Sequence, residues 1–138
     1  SPLSNANLAS GVAPVSKYLA RGLQVGIASD VAGGETVDLF RVMADALRDS
    51  KLRWRLLDQA VRPLSVDQVF YLATLGGGRF FGKVGSFAPG YEFDAVVLDD
   101  STLDHPQELS VRDRMERSIY LADDRNIAAK FVQGEKVL

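Results

Sequence analysis

The stretch LQVGIASDVAGG, Leu23 to Gly34, decides how this chain is read. Leu23, Val25 and Ile27 alternate with small or polar residues, which predicts a short strand from Leu23 to Ala28. Ser29 and Asp30 follow, and the pair Gly33-Gly34 then opens a helical pattern. A carboxylate at the carboxyl end of a buried strand is where α/β enzymes place a reacting group or a metal ligand. Asp30 is therefore the first candidate for chemistry. Its competing role is a helix cap or a turn former, because Asp before glycine-rich sequence does both routinely. Spacing alone leaves the two open.

Upstream, SPLSN reads as a strand-to-loop junction, which points to a fragment of a longer protein, and Ser4 to Gly11 is rich in Ser, Asn and Gly. Pro14 suits a first helical turn, and Val15, Tyr18 and Leu19 at i, i+3 and i+4 predict a helix that Gly22 stops. Downstream, Thr36 is the expected cap of a helix with Val37, Phe40, Ala44 and Leu47 on one apolar stripe and Asp38, Arg41, Asp45 and Arg48 off it. Lys51 to Arg55 reads as a basic connector, and Pro63 ends any helix over Leu56 to Val61. Ser65 and Gln68 have capping-box spacing, so a helix is expected from Ser65 to Leu75, up to the break at Gly76-Gly77-Gly78.

Beyond Val84 short strands dominate. A Pro-Gly turn precedes a strand at Ala95 to Leu98, a polar loop covers Asp99 to Glu108, and a helix is expected from Ser110 to about Leu121. The carboxyl end, AAKFVQGEKVL, reads as strand, turn at Gln133-Gly134, strand. Phe70, Tyr71, Phe80 and Phe81 are expected in the core.

With 138 residues, 46% hydrophobic and 25% charged, the composition is that of a soluble globular chain with one core. The net charge is -2 and no basic block is present, which argues against a nucleic-acid partner. No apolar run approaches the ~18 residues of a membrane span, and the cytoplasm is the expected compartment. The absence of cysteine excludes disulfides, thiolate zinc sites and a cysteine nucleophile. His105, the sole histidine, lies in an Asp-His-Pro loop and reads as a solvated side chain rather than a metal ligand. Gly33-Gly34 fits no phosphate-binding pattern and reads as a place of close backbone approach. Trp54 between Arg53 and Arg55 reads as a packed helix side chain rather than a stacking platform. Asp123-Asp124-Arg125-Asn126 lacks calcium-loop spacing, so capping bonds are expected there, with Arg125 bridging two domains.

Five blocks carry a resemblance. PLSNANLASG (Pro2 to Gly11), VGIASDVAGG (Val25 to Gly34), YLATLGGGR (Tyr71 to Arg79), KVGSFAPGYEFDAVVLD (Lys83 to Asp99) and YLADDRNIAAKFVQGEKV (Tyr120 to Val137) are similar, in order and separation, to the carboxyl-terminal part of the guanine deaminase family of the amidohydrolase superfamily. The GS-x-x-PG-x-x-x-D element marks many amidohydrolases, whereas YL-x-DDRN is more characteristic of that family. The resemblance implies an α/β fold in which residues 1–82 form the last part of a (β/α)8 barrel and residues 83–138 the carboxyl-terminal share of a β-sandwich domain. A complete barrel takes about 250 residues, so this chain holds only part of one.

In the family, the aspartate at the end of the eighth strand is both a zinc ligand and the acceptor of a proton from the attacking water; the matching position is Asp30. The family's remaining ligands are histidines and its general acid is a glutamate, and none of those motifs occurs here. The implied function is the carboxyl-terminal portion of a zinc-dependent enzyme that hydrolyses guanine to xanthine and ammonia. Zinc is then a cofactor of the intact enzyme, while this chain alone is expected to hold none and to be inactive. The implied partners are the missing amino-terminal part of the same protein, guanine as substrate, and a second copy in a homodimer. Two other readings stay open: an amidohydrolase relative acting on another purine, a pterin or a triazine, and a non-catalytic α/β binding module with Asp30 as a ligand contact.

Overall fold

In the computed structural model, which describes residues 1–138, the chain opens with a helix, α1 (Pro2–Asn7), in place of the strand-to-loop junction expected from SPLSN. Pro2 lies in the first turn, where its missing N–H would have had no partner in any case. The other end is closed by Ala9 N donating to Ala6 O (3.2 Å) and Ser10 N donating to Asn5 O (2.8 Å), the crossed pair of a Schellman turn. A second short helix, α2 (Val15–Ala20), follows as expected and ends at Gly22, but Pro14 is its N-cap rather than a residue of its first turn.

Leu23 to Ala28 does not form the predicted strand. It joins no sheet, and a strand exists only where a neighbour completes its ladder of hydrogen bonds. Of its amides, Leu23 N donates to Tyr18 O (3.1 Å) and Ile27 N to Leu72 O (3.2 Å). Val25 and Ile27 are half-buried against the core.

The longest helix is α3 (Leu39–Leu56). Its cap is Asp38, whose Oδ1 accepts from Phe40 N (2.8 Å), while Thr36 Oγ1 accepts from Asp38 N (3.0 Å) and steadies the turn before the cap. This corrects the expected start at Thr36. Val37, left outside the helix, is 79% exposed and leaves the apolar stripe. Lys51 to Arg55 lies within α3 rather than in a connector, and the separate helix over Leu56 to Val61 is absent. There Leu57 N and Asp58 N both turn back to Arg53 O and end α3.

At α4 (Val66–Tyr71) the capping box forms: Gln68 N donates to Ser65 Oγ (3.2 Å) and Ser65 N to Gln68 Oε1 (2.9 Å). The helix then widens into a π-helical turn, Leu72–Gly76, at the start of the glycine run. Beyond it come β1 (Ala95–Leu98), α5 (Val111–Leu121) capped by Ser110, β2 (Ile127–Val132) and β3 (Glu135–Lys136). The sheet is antiparallel in the order β1-β2-β3, with Ala95 opposite Phe131, Val97 opposite Ala129, and a register shift before Leu98. Gln133 (φ 50°) and Gly134 (φ 83°) make the two-residue turn between β2 and β3, the twist that matches flanking strands.

The core lies between α3, α4 with its π-turn, and α5; Leu47, Val69, Leu72 and Ile119 are its most enclosed side chains. Each such residue contributes about 1.5–3 kcal/mol through removal from water. The loop Asp99 to Glu108 is fastened to α5 by Arg114, whose Nε and Nη2 reach the Asp100 carboxylate at 2.7 Å each, and by Arg117 Nη2 on the Leu103 (3.2 Å) and Asp104 (3.0 Å) carbonyls. The chain thus has α/β content with one small sheet.

Candidate functional site

Two segments far apart in sequence build the surroundings of Asp30. The first is the turn Ser29 to Gly34, which closes when Gly34 N donates to Asp30 O (2.7 Å). Asp30 has φ 52°, left-handed backbone that Asp tolerates better than most side chains, and the Val31–Ala32 peptide is cis. Gly34 has to be glycine: a Cβ there would come within 2.2 Å of Ser29 O. The expectation of close backbone approach at this pair therefore holds, and at Gly33 a Cβ would crowd both Ser4 Oγ (3.0 Å) and Asp30 Oδ2 (3.1 Å).

The second segment is α1. Ser4 and Asn7, three residues apart and so on one helical face, both reach this turn. Ser4, 4% exposed, donates its hydroxyl to Asp30 Oδ2 at 2.5 Å. Asn7 Nδ2 donates to Gly33 O at 3.0 Å. Asp30 itself is exposed, and its Oδ1 accepts no hydrogen bond. The result is a carboxylate with one oxygen held and the other open. Local pattern marks neither Ser4 nor Asn7, because SPLSN reads as a strand-to-loop junction; the Pro2 start and the three-residue spacing are the signals of a helical face there.

The segment that carries Asp30 is seated by the glycine run. A Cβ on Gly76 would lie 2.5 Å from Val25 O, and one on Gly26 would lie 2.8 Å from Gly77 Cα. Backbone thus packs directly on backbone, with Leu72 O taking the Ile27 amide.

An oxygen donor with one lone-pair face free and its partner oxygen hydrogen-bonded suits a metal ligand, since ligating carboxylates are themselves commonly held by a hydrogen bond. A catalytic zinc takes about three protein ligands. No group of three His, Asp or Glu side chains converges in this chain, and Asp30 by itself offers a single open donor oxygen. His105 is exposed and its Nδ1 engages Gln107 N (3.2 Å) within its own loop.

Trp54 is half-buried on α3, and neighbouring Arg53 donates from Nη1 to Val12 O (2.9 Å). Asp123 and Asn126 cap a short 3-10 turn, Asp124–Asn126, as expected. Arg125 is not a bridge between domains: its guanidinium folds back on Asp123, two residues away, with Nη2 to Oδ2 at 2.6 Å. That neighbour holds the Asp123 carboxyl below the usual carboxylate range. The aromatic expectation is half corrected. Tyr71 packs against the core and its hydroxyl receives Arg79 Nη1 (3.2 Å), whereas Phe80 and Phe81 are 87% and 76% exposed and stack edge to face only on each other (5.1 Å), because the chain turns away from the core after Gly78. Phe70 is also exposed.

Comparison with known proteins gives a consistent picture. The amidohydrolase family matches residues 1–137. A guanine deaminase of Dictyostelium discoideum is 31% identical over 99% of the chain and 32% of its own length. The crystal structure of a guanine deaminase from C. acetobutylicum with guanine bound in its active site superposes with a TM-score of 0.93, at 47% identity, over 99% of this chain and 32% of that one. An adenosine deaminase structure from Xanthomonas campestris with bound zinc gives a TM-score of 0.82 at 26% identity, over 99% of this chain and 30% of that one. The chain therefore spans about a third of the length of the relatives it matches.

Proposed function

The chain belongs to the amidohydrolase family, and from that premise we propose that it is the carboxyl-terminal portion of a guanine deaminase that hydrolyses guanine to xanthine and ammonia. The observation that carries the reading is the open carboxylate of Asp30, fixed through its other oxygen by Ser4. Similarity to guanine deaminases over 99% of the chain supports guanine over another purine, a pterin or a triazine. In this reading residues 1–82 belong to the catalytic barrel and residues 83–138 to a β-sandwich domain.

Zinc is the proposed cofactor, consistent with the zinc in the related adenosine deaminase structure. When bound, zinc lowers the pKa of a water to about 7 and so makes hydroxide available at neutral pH. Asp30 serves as one ligand and takes up the proton of the attacking water on its carboxylate. Ser4, Asn7 and Gly33 keep that carboxylate in place. The remaining ligands and the general acid belong to the amino-terminal part of the same protein, which is the first proposed partner; a second copy in a homodimer is the other. The cytoplasm is the proposed compartment, and no helix of the structure is long and apolar enough to cross a membrane.

The test compares two preparations by zinc analysis and by the absorbance change from guanine to xanthine. The full-length protein that contains this chain should carry zinc and turn over guanine, while the 138-residue chain should do neither. Turnover of adenine or a triazine in place of guanine by the full-length protein, or stoichiometric zinc on the short chain, would overturn the reading.

A further inference from the structure

We propose that Ser4 is a positioning residue for the candidate site: its hydroxyl binds one lone pair of Asp30 Oδ2 and thereby leaves Oδ1 free for the metal, with the second lone pair of Oδ2 left to take up the proton. The inference rests on the reading of Asp30 as a metal ligand and adds a residue that composition and motif did not single out.

Three observations carry it. Ser4 is buried, yet its hydroxyl is spent on a carboxylate 26 residues away rather than on its own helix. In a helix a serine hydroxyl ordinarily satisfies itself on the carbonyl one turn back, as Ser118 does on Arg114 O (2.9 Å) in α5. Ser4, in the first turn of α1, does not use the Ser1 carbonyl one turn back, which takes the Asn5 amide (2.9 Å), and gives its proton to Asp30 instead. Second, Asn7 fastens the same helix face to Gly33 O, which fixes the separation of helix and turn from a second point. Third, Gly33 leaves room for the pair and nothing more, since a Cβ would meet both of its members at about 3 Å.

A carboxylate on a short side chain has two torsions, and an exposed one samples several orientations. Pinning Oδ2 removes that freedom and presents a single oxygen on the open side. It also makes Asp30 a poorer bidentate group, which favours ligation through one oxygen. Partners of this kind change metal affinity or activity by about 10–100-fold when removed.

The experiment uses the full-length protein with Ser4→Ala, the near-isosteric weak donor Ser4→Cys, and Ser4→Thr, which keeps the hydroxyl. Zinc release to a chelator, kcat and KM for guanine, and the Tm of the metal-free protein are measured for each. Ser4→Ala and Ser4→Cys should release zinc about 10–100-fold faster and lose kcat, with KM within about twofold and the metal-free Tm unchanged; Ser4→Thr should restore both. If Ser4→Ala does not fold, Gly33→Ala tests the same contact from the other side and should give the same signature. Wild-type zinc retention and kcat in Ser4→Ala or Ser4→Cys would overturn the proposal, as would a fall in metal-free Tm that accounts for the zinc loss. A wild-type protein without zinc or without guanine turnover would instead overturn the functional reading beneath it.

Discussion

Under the proposed function, Asp30 concentrates most of the chemistry in one side chain. Its backbone is left-handed, one oxygen is tied to Ser4 and the other faces out. On that reading, replacement by Ala in the full-length protein removes the proposed ligand and proton acceptor together, so kcat should fall by orders of magnitude while the metal-free protein keeps its Tm; steady-state kinetics and calorimetry check this. Asp30→Asn keeps the Ser4 contact but not the charge, and should be nearly as inactive. At this scale the sequence points to Asp30 as a candidate, because a strand-like run ending in Ser-Asp before Gly-Gly is a local pattern. Ser4 was not legible in the same way. Its role depends on a contact 26 residues away that no local pattern encodes.

At the scale of elements, the glycine run after α4 reverses the usual arithmetic of helix propensity. Gly→Ala in a helix ordinarily stabilises by about 1 kcal/mol. At Gly76 the new methyl would lie 2.5 Å from Val25 O and 3.0 Å from Tyr71 O, so Gly76→Ala should destabilise by about 1–3 kcal/mol, measured by denaturant unfolding of the 138-residue chain. Helix α3 carries a second test. Burial, and then the charge of Asp45 one turn earlier, push the Asp49 carboxyl above its usual value. For an acid raised in the folded state, the folded form is disfavoured as pH rises from the unfolded value, about 3.9, through the folded one. Asp49→Asn should therefore raise Tm at pH 7, and the gain should vanish below about pH 3.5. Elements with local signals match the sequence reading: the Ser65–Gln68 box, the Ser110 cap and the Gln133-Gly134 turn each write their geometry within four residues. The start of α3 was displaced by two residues because Thr36 and Asp38 both accept a turn amide and only the contest between them sets the cap. The predicted strand at Leu23 failed for a different reason. Its alternation is real, but pairing is a property of a neighbour, and no neighbour lies within these residues.

At the scale of the molecule, 19 of 138 residues are buried, a small interior for a chain of this length, and large apolar side chains such as Leu56, Leu57, Phe80, Phe81 and Phe87 stay exposed. Strand β1 is an edge whose Val96 and Val97, pointing to opposite faces, are both exposed as well. The purified 138-residue chain should self-associate with rising concentration in size-exclusion chromatography coupled to light scattering, and co-expression with the amino-terminal part should suppress it. A concentration-independent monomer would count against that. Core aromatics were misassigned at Phe80 and Phe81 because a hydrophobic pair looks the same in sequence whether it faces this chain's interior or another surface.

The segment from Leu23 to Ala28 has one last implication, for the clock rather than the map. The amides of Gln24, Val25, Gly26 and Ala28 donate to no acceptor, whereas those of α3 beyond its first turn are held by the helix ladder. In heavy water those four protons should be lost within the dead time of a mixing experiment, while protons of α3 wait for the rare opening of the core. On the proposed reading, adding the amino-terminal polypeptide and watching that fast-exchanging ribbon fall silent would time the arrival of a partner strand, amide by amide.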